Sequence, residues 1–329
     1  MQNHSSAFNL IDRIVCLDVG GRGIAGLFEP ARASIGGGSL TEAAARHLMS
    51  LQAGDHVFII TGSLTRASVS PEIAENDGPI GSAVLARAIS RGFHAIPVII
   101  TDASIRDRVA KVVEFSGLNV VSGEQARIAT SLPRFTGVAV MESAAIEDSA
   151  ARRCAKDLME AYAPKAVVAC ERAGMTADGT YRNALGQDYS DGREKLDYIV
   201  EEAVDRKIPT VGIGDGGNEI GMGAVKDAVA KHIKHGDVLC AELATDVLLP
   251  AGVSNWGCYA IAAALAILKE DASLAHTSEA ERRLIEFSPS AGLVDGMTGL
   301  LDATVDGMQP DVHISVVKLL EQTVRRALR

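Results

Sequence analysis

The sequence is poor in aromatic residues, in positive charge and in long apolar runs, and each shortage excludes a class of protein. Aromatic side chains make up 4% of the 329 residues, which leaves few rings on which nucleic-acid bases could stack. Lys and Arg number 32 against 42 Asp and Glu, a net charge of −10, whereas phosphate backbones are bound by clustered positive charge. The longest apolar stretch, residues 256–268, is too short to span a membrane. The sequence therefore predicts that neither nucleic acid nor a membrane is the partner.

Cysteine is also scarce, and its spacing argues against two kinds of structural site. The five cysteines are an odd number, and none forms a C-x-x-C pair. Neither a disulfide framework nor a structural zinc site fits this pattern. Free thiols in apolar surroundings are typical of a reducing compartment. The first residues also lack the basic and apolar stretches of a secretory signal, so we expect a cytoplasmic protein.

Short β-branched runs alternate with helical patterns along most of the chain. This alternation predicts an α/β fold with a mostly parallel central sheet and helices on both faces. No linker divides the sequence, so we expect a single domain over 1–329, with irregular additions allowed at 1–40 and 270–329. The predicted strands are 13–19, 56–61, 95–101, 119–122, 137–141, 165–170, 210–213 and 238–240, with 245–249 as a further short candidate.

Apolar residues at helical spacing predict the elements between these strands. Thr41 is a candidate cap for the first of them. The helix over 256–268 is rich in alanine and fits either the core or a subunit interface, so a homo-oligomer is left open. The predicted helices are 41–51, 79–91, 148–162, 193–206, 222–235 and 256–268.

Polar, glycine-rich segments follow or flank five of the predicted strands. Ligands of open parallel sheets bind outside the carboxyl ends of the strands. Any one of these segments could be an ordinary turn, because Gly, Asn, Asp and Ser are turn residues. All five together favour a binding site at that edge of the sheet. The segments are 62–66, 101–102, 171–174, 214–219 and 254–257.

A first pair of acids, Glu75 and Asp77, precedes Gly78 and Pro79. Pro is favourable in the first turn of a helix, and an acid just before it complements the helix dipole. Asp77 therefore either caps the helix that begins at Pro79 or belongs to the site. Capping does not account for Glu75, which could bind a metal or act as a base.

A second acidic cluster, formed by Asp215, Asn218 and Glu219, follows the strand predicted over 210–213. The stretch 212–217 matches G-x-G-x-x-G, but the acids within and after it would repel a pyrophosphate. Oxygen ligands beside flexible glycine backbone suit Mg²⁺ or Mn²⁺ better. No P-loop pattern occurs. We therefore expect a divalent metal and no nucleotide cofactor.

Three arginines, Arg66, Arg172 and Arg182, flank the proposed site segments. Guanidinium groups bind carboxylate or phosphate with two hydrogen bonds. Acids for a cation together with arginines for an anion indicate a small anionic substrate.

At these segments the sequence resembles a known family, the D-glutamate cyclase-like C-terminal domains. The resemblance covers about residues 11–268. The family more often has Thr where this chain has Asn76, which leaves Glu75 and Asp77 in place. The motifs that carry it are 62–65 (GSLT), 75–81 (ENDGPIG), 171–174 (ERAG), 178–183 (DGTYRN), 212–223 (GIGDGGNEIGMG) and 254–257 (SNWG).

The resemblance implies a hydro-lyase that interconverts D-glutamate and 5-oxo-D-proline, and the acidic clusters add a divalent metal to this expectation. Three kinds of residue would carry this reaction. The catalytic acids would be Glu75, Asp77 and Glu171. The metal ligands would be Asp215, Asn218 and Glu219. The substrate-binding residues would be Thr65, Arg66, Arg172, Asn183, Ser254 and Asn255.

Two other functions fit the same residues. Acidic clusters on strand-end loops also build metal-dependent phosphohydrolases, in which the arginines would hold a phosphorylated metabolite. A non-catalytic domain that binds a small anion is the second alternative. The sequence by itself does not separate these three.

Overall fold

The computed structural model describes residues 4–329. In these residues seven strands form one sheet in the order β3-β4-β2-β1-β5-β6-β7, and every neighbouring pair is parallel. The predicted α/β class with a mostly parallel sheet is confirmed. The strands are β1 (His56–Thr61), β2 (Ile96–Ile100), β3 (Asn119–Val120), β4 (Val138–Glu142), β5 (Ala166–Cys170), β6 (Thr210–Gly214) and β7 (Val247–Pro250).

Helices cover both faces of this sheet, as predicted. Successive strand residues point to opposite faces, so Val57 and Ile59 of β1 pack into one core and Phe58 and Ile60 into the other. The α-helices of the described part are α1 (Ser5–Val15), α2 (Phe28–Ser34), α3 (Leu40–Leu48), α4 (Pro79–Phe93), α5 (Arg106–Phe115), α6 (Gly123–Ser131), α7 (Asp148–Tyr162), α8 (Asp197–Asp205), α9 (Lys226–His232), α10 (Gly236–Leu239), α11 (Ser254–Leu268), α12 (Ser278–Ala291) and α13 (Pro310–Ala327).

Two predicted strands and one predicted cap are wrong. The apolar run over 13–19 contains the end of α1, whose buried residues Phe8, Ile11 and Val15 recur at helical spacing. The run over 238–240 overlaps the short helix α10. The cap of α3 is Ser39, whose hydroxyl accepts a hydrogen bond from the amide of Glu42 at 3.1 Å.

The regions 1–40 and 270–329 carry more regular structure than we predicted. The described part of the first contains α1 and α2, and the second contains α12 and α13. The prediction also lacks α5 and α6. The predicted helix over 193–206 begins only at Asp197, because the preceding residues turn across the ends of the strands. These differences add helices around the sheet. The seven strands themselves all lie within or overlap predicted strands.

The Ala-rich helix α11 lies in the core of the chain. Every residue from Ser254 to Ile267 is buried, which decides between the core and a subunit interface for this helix. No helix within residues 4–329 is both long and apolar enough to cross a membrane.

Helices α4 and α11 approach each other closely at their first turns. A Cβ added at Gly81 would lie 2.7 Å from the Cα of Asn255, and real Cβ atoms do not come so near to backbone. Glycine at position 81 therefore lets the two helix N-termini meet, which brings residues 77–78 beside residues 254–255.

We expect Gly81→Ala to destabilise the protein by about 1–2 kcal/mol. Overpacking of this kind costs about 1–3 kcal/mol, against a gain in helix propensity of at most about 1 kcal/mol. Urea unfolding gives the value. Gly20→Ala is the control, because the nearest atoms to its added Cβ lie 3.6 Å away. Equal stability of both variants would contradict the close approach.

The strand order reverses between β1 and β5. The chain leaves β1 for β2 on one side, and it leaves β5 for β6 on the other. A crevice opens at such a switch point, and ligands of α/β sheets bind there. Thr61 pairs with Cys170 in the register of the two strands, so the segments beginning at Gly62 and Glu171 start side by side.

Candidate functional site

Six carboxylates converge at this switch point. One oxygen each from Asp77, Asp215 and Asp306 lie within 4.8 Å of one another, and so do oxygens of Glu171, Asp215 and Glu219. Asp215 belongs to both groups. The sixth acid, Glu75, lies close enough to Asp306 for their charges to interact. The structure thus brings together the two acidic clusters that the sequence separates.

Asp77 holds the start of α11. Its carboxylate accepts hydrogen bonds from the amides of Ser254 at 3.0 Å and Asn255 at 2.8 Å. A negative charge is favourable at a helix N-terminus. The predicted alternative, that Asp77 caps the helix beginning at Pro79, is wrong. Asp77 accepts from the amide of Gly78 at 3.0 Å, one residue before α4, but Asn255 Oδ1 accepts from the amides of both Gly78 at 3.0 Å and Gly81 at 2.5 Å.

Glu171 is presented into the site by an unusual backbone conformation. Its φ is +47°, a region that costs a non-glycine residue free energy and is found at functional sites. The Ser254 hydroxyl donates a hydrogen bond of 2.5 Å to Glu171 Oε2. Within residues 4–329 the other carboxylate oxygen of Glu171, Oε1, receives no hydrogen bond.

Glu219 is bound mainly to its own loop. Its carboxylate accepts hydrogen bonds from the amides of Asp215 at 2.9 Å, Gly216 at 2.6 Å and Gly217 at 2.8 Å. These bonds shape the loop that presents Asp215. Asn218 turns elsewhere, since its amide donates to the carbonyl of Arg182 at 2.8 Å. Of the three predicted metal ligands, Asp215 is the one whose carboxylate faces the cluster without a backbone donor.

Two residues at the acidic cluster, Arg22 and Asp306, were not predicted from the sequence. Arg22 forms ion pairs with Asp215 at 2.7 Å and with Asp306 at 2.9 Å. Its loop is held by Asp18, whose carboxylate accepts from the amides of Arg22 and Gly23 at 2.8 Å. Asp306 lies in a tight turn with Gly307, and both residues have positive φ. The Asp-Gly pair was a visible turn signal, but nothing local indicated that the turn reaches the site.

The crowding of acids favours their protonated forms. Burial first, and then neighbouring charged acids, raises the pKa of Glu171 well above its usual range. Burial is also the main cause of the raised pKa of Asp77 and Asp215. Burial and the nearby Asp215 raise the pKa of Asp306 to about 8. The site therefore holds protons or attracts cations.

Glu75 lies at the edge of the cluster beside Ser63. The Ser63 hydroxyl hydrogen-bonds to the Glu75 carboxyl, yet burial and the charge of Asp306 raise the pKa of Glu75 to about 7. A Cβ added at Gly296 would lie 1.9 Å from Glu75 Oε2, so the loop after α12 closes directly over this carboxyl.

Arg172 and Asn183 do not face the acidic cluster. Arg172 is 1% exposed, pairs with Asp102, and donates to the carbonyls of Gly62 at 3.0 Å and Glu194 at 2.6 Å. Asn183 Oδ1 accepts from the amide of Gln187 at 3.0 Å within a turn. Both side chains have structural partners, so we no longer assign them to substrate binding.

Arg66 and Thr65 lie at the rim. Arg66 donates to Thr65 Oγ1 at 2.6 Å and to the carbonyl of Gly296 at 3.2 Å, and it remains partly exposed. Their role in substrate binding stays a prediction. Ser254 and Asn255 lie at the centre of the site and orient Glu171 and the start of α4, as described above.

A buried histidine connects the core to the Asp306 turn. Trp256 Nε1 donates to His313 Nδ1 at 3.0 Å, so Nε2 carries the proton, and it lies 3.2 Å from the carbonyl of Val305. The same carbonyl accepts from the amide of Met308 at 2.9 Å. His313 therefore holds the turn that presents Asp306.

Two substitutions of His313 each remove one of its two hydrogen bonds, the one to Trp256 or the one to Val305. His313→Gln keeps a donor for Val305, whereas His313→Asn keeps only an acceptor for Trp256. We expect both to cost about 1–3 kcal/mol, since each leaves a buried partner unsatisfied. Only His313→Asn should speed hydrogen exchange at the Met308 amide. The same exchange rate in both variants would contradict this role of His313.

Comparison with known proteins identifies the class. The family model described as D-glutamate cyclase-like, C-terminal, matches residues 11–321, nearly the whole chain. The chain therefore belongs to the D-glutamate cyclase-like C-terminal family. Its matched region includes every acid of the cluster described above.

A search of characterised proteins also finds a human relative. The chain is 36% identical over 223 residues to human D-glutamate cyclase, mitochondrial. The match covers 67% of this chain and 34% of the human protein. The chain thus corresponds to about a third of its relative, and its cytoplasmic location stays a prediction.

Proposed function

We propose that this chain catalyses the interconversion of D-glutamate and 5-oxo-D-proline. The observation that carries the proposal is the carboxyl group of Glu171, which is hydrogen-bonded to Ser254 and lies in a crowded acidic cluster at the switch point of the sheet. The family of the chain and the name of its human relative supply the substrate.

Ring closure joins the amine nitrogen of D-glutamate to its γ-carboxyl carbon. The ammonium group carries three protons, of which one stays on the lactam nitrogen. The other two leave with one carboxyl oxygen as water. The reaction therefore needs a group that takes a proton from nitrogen and a group that delivers a proton to the departing oxygen.

Glu171 is our candidate for this proton transfer. General acid–base catalysis is most efficient when the pKa of the group is near the working pH, and burial shifts the pKa of Glu171 upwards. The bond from Ser254 holds one oxygen of Glu171 and leaves the other for the substrate. Glu75, with a pKa of about 7, is the second candidate. Asp77 is the least suited, since both its oxygens accept backbone amides.

The residues of the cluster also fit a divalent cation. Asp215 Oδ2 and Asp306 Oδ2 are buried, each forms an ion pair with Arg22, and the two carboxyl groups also hydrogen-bond to each other. Carboxylate oxygens are the ligands that Mg²⁺ and Mn²⁺ prefer. Asp215 and Asp306 would hold the ion, with Glu171 or Asp77 completing the set. A bound ion would polarise the γ-carboxyl group as a Lewis acid.

A direct assay tests the proposed function. Purified protein with Mn²⁺ is incubated with D-glutamate, L-glutamate or 5-oxo-D-proline, and products are separated by chiral chromatography. We expect interconversion of the D-isomer and its lactam. Failure with both compounds, together with phosphate release from a panel of phosphorylated metabolites, would replace the proposal with a phosphohydrolase. Saturable D-glutamate binding without turnover would indicate a binding domain instead.

A further inference from the structure

Arg193 is a buried cation without an acidic partner. Its side chain is 1% exposed, and within residues 4–329 no carboxylate lies in ion-pair range of it. Its Nε donates to the carbonyl of Tyr189 at 2.9 Å, and Nη2 donates to the carbonyl of Leu64. Its Nη1 is buried and has no hydrogen-bond partner. Because buried charges are normally paired, this arrangement lacks an anion.

Other arginines around the site differ in this respect. Arg172 is equally buried but pairs with Asp102, and Arg22 pairs with two acids. Arg66 donates a hydrogen bond to the carbonyl of Gly296, but its side chain is partly exposed, so water solvates its charge. Arg193 alone in this group combines full burial with a free N–H donor.

Arg193 lies next to the acidic cluster, on the side of Glu75. Leu64, whose carbonyl it contacts, follows Ser63, and Ser63 hydrogen-bonds to Glu75. The charge of Arg193 acts on Glu75 and opposes the rise in the pKa of that carboxyl. The guanidinium carbon lies 3.7 Å from the centre of the Tyr189 ring. Tyr189 is partly exposed, so its side chain separates Arg193 from the solvent.

We propose that Arg193 binds the α-carboxylate of the substrate through Nη1. This inference rests on the proposed function. The α-carboxylate keeps its charge in both D-glutamate and 5-oxo-D-proline, and the surrounding acids would repel it. A guanidinium group with a free donor supplies the attraction. Nη1 is buried, so the carboxylate reaches it only when the side chains around it move, and the ion pair there is stronger than in water.

The test compares two probes that differ only in this charge. They are 5-oxo-D-proline and its primary carboxamide, and calorimetry measures the affinity of each. We expect the wild-type protein to bind the acid about 10- to 100-fold more tightly than the amide. Arg193→Gln should abolish this preference, with the affinity for the amide retained. Arg152→Gln is the matched control, because Arg152 also stacks on a tyrosine, Tyr198, at 3.8 Å but on the exposed surface.

The outcomes separate this inference from the proposed function. An undiminished preference for the acid in Arg193→Gln would overturn the role of Arg193 and leave the proposed function intact. If the wild-type protein binds neither probe and does not turn over D-glutamate, the role of Arg193 and the proposed function are both contradicted. Should Arg193→Gln not fold, Arg193→Lys decides. A loss of about tenfold in affinity for the acid alone supports the role, and an unchanged affinity contradicts it.

Discussion

Replacement of Asp215 by Asn is expected to weaken Mn²⁺ binding by more than about 100-fold and to abolish turnover of D-glutamate. Asp215 is the acid shared by both groups of converging oxygens. Its Oδ2 is buried and lies 2.7 Å from Arg22 Nη1.

The fold of Asp215→Asn should survive. The substitution removes one of several mutually repelling charges, and Arg22 retains its ion pair with Asp306. In thermal unfolding, Mn²⁺ at about 100 times its Kd should stabilise the wild-type protein by about 2.7 kcal/mol and leave the variant unchanged. Asp237→Asn, at an exposed acid of α10, is the control. A variant that Mn²⁺ stabilises as it does the wild type would contradict the assignment of Asp215.

Replacement of Glu171 by Gln should lower kcat by about 10²- to 10⁴-fold and leave substrate affinity nearly unchanged. The amide has almost the same shape and can still accept the hydrogen bond from Ser254, but it cannot exchange a proton with the substrate. Steady-state kinetics in both directions separates kcat from KM.

A second strand-end acid provides the control for Glu171. Glu142 closes β4 and accepts a hydrogen bond from Tyr162, so it is engaged outside the cluster. Glu142→Gln should retain full activity. If Glu171→Gln retained more than about a tenth of the wild-type kcat, Glu171 would not transfer the proton, and Glu75 would become the candidate.

The sheet was the most predictable part of the structure. Buried parallel strands form short, continuous β-branched runs such as HVFII over 56–60, and such runs are distinctive. The run over 13–19 contains five apolar residues, but its neighbours continue a helical period into α1. Short apolar runs do not separate strands from buried helix ends, which explains both false strands.

The structure brings the predicted acids together at the strand ends, but it adds residues that the prediction lacked. Residues directly after strands, such as Glu171 and Asp215, were predictable because the carboxyl ends of parallel strands share one edge. Arg22 and Asp306 come from peripheral loops far away in sequence, and their positions depend on how α1 and α13 pack. Local pattern carries no information about such packing.

The roles of individual polar residues were least predictable. Arg172 and Arg193 are both buried arginines beside the same strand ends, yet Arg172 has an acidic partner and Arg193 has none. Glu219 has the sequence context of a metal ligand, but three backbone amides occupy its carboxylate. Which donors a side chain meets is settled only by the folded backbone.

Metal removal and return, followed by the chiral assay, tests the central claim most directly. Protein stripped with a chelator is divided, and Mn²⁺ or Mg²⁺ is restored to one half while the metal content is measured. We predict that D-glutamate and 5-oxo-D-proline interconvert only in the restored half, in proportion to the bound metal, and that L-glutamate is left unchanged. Equal turnover in the stripped half, or none in a half whose metal is bound, would contradict the account.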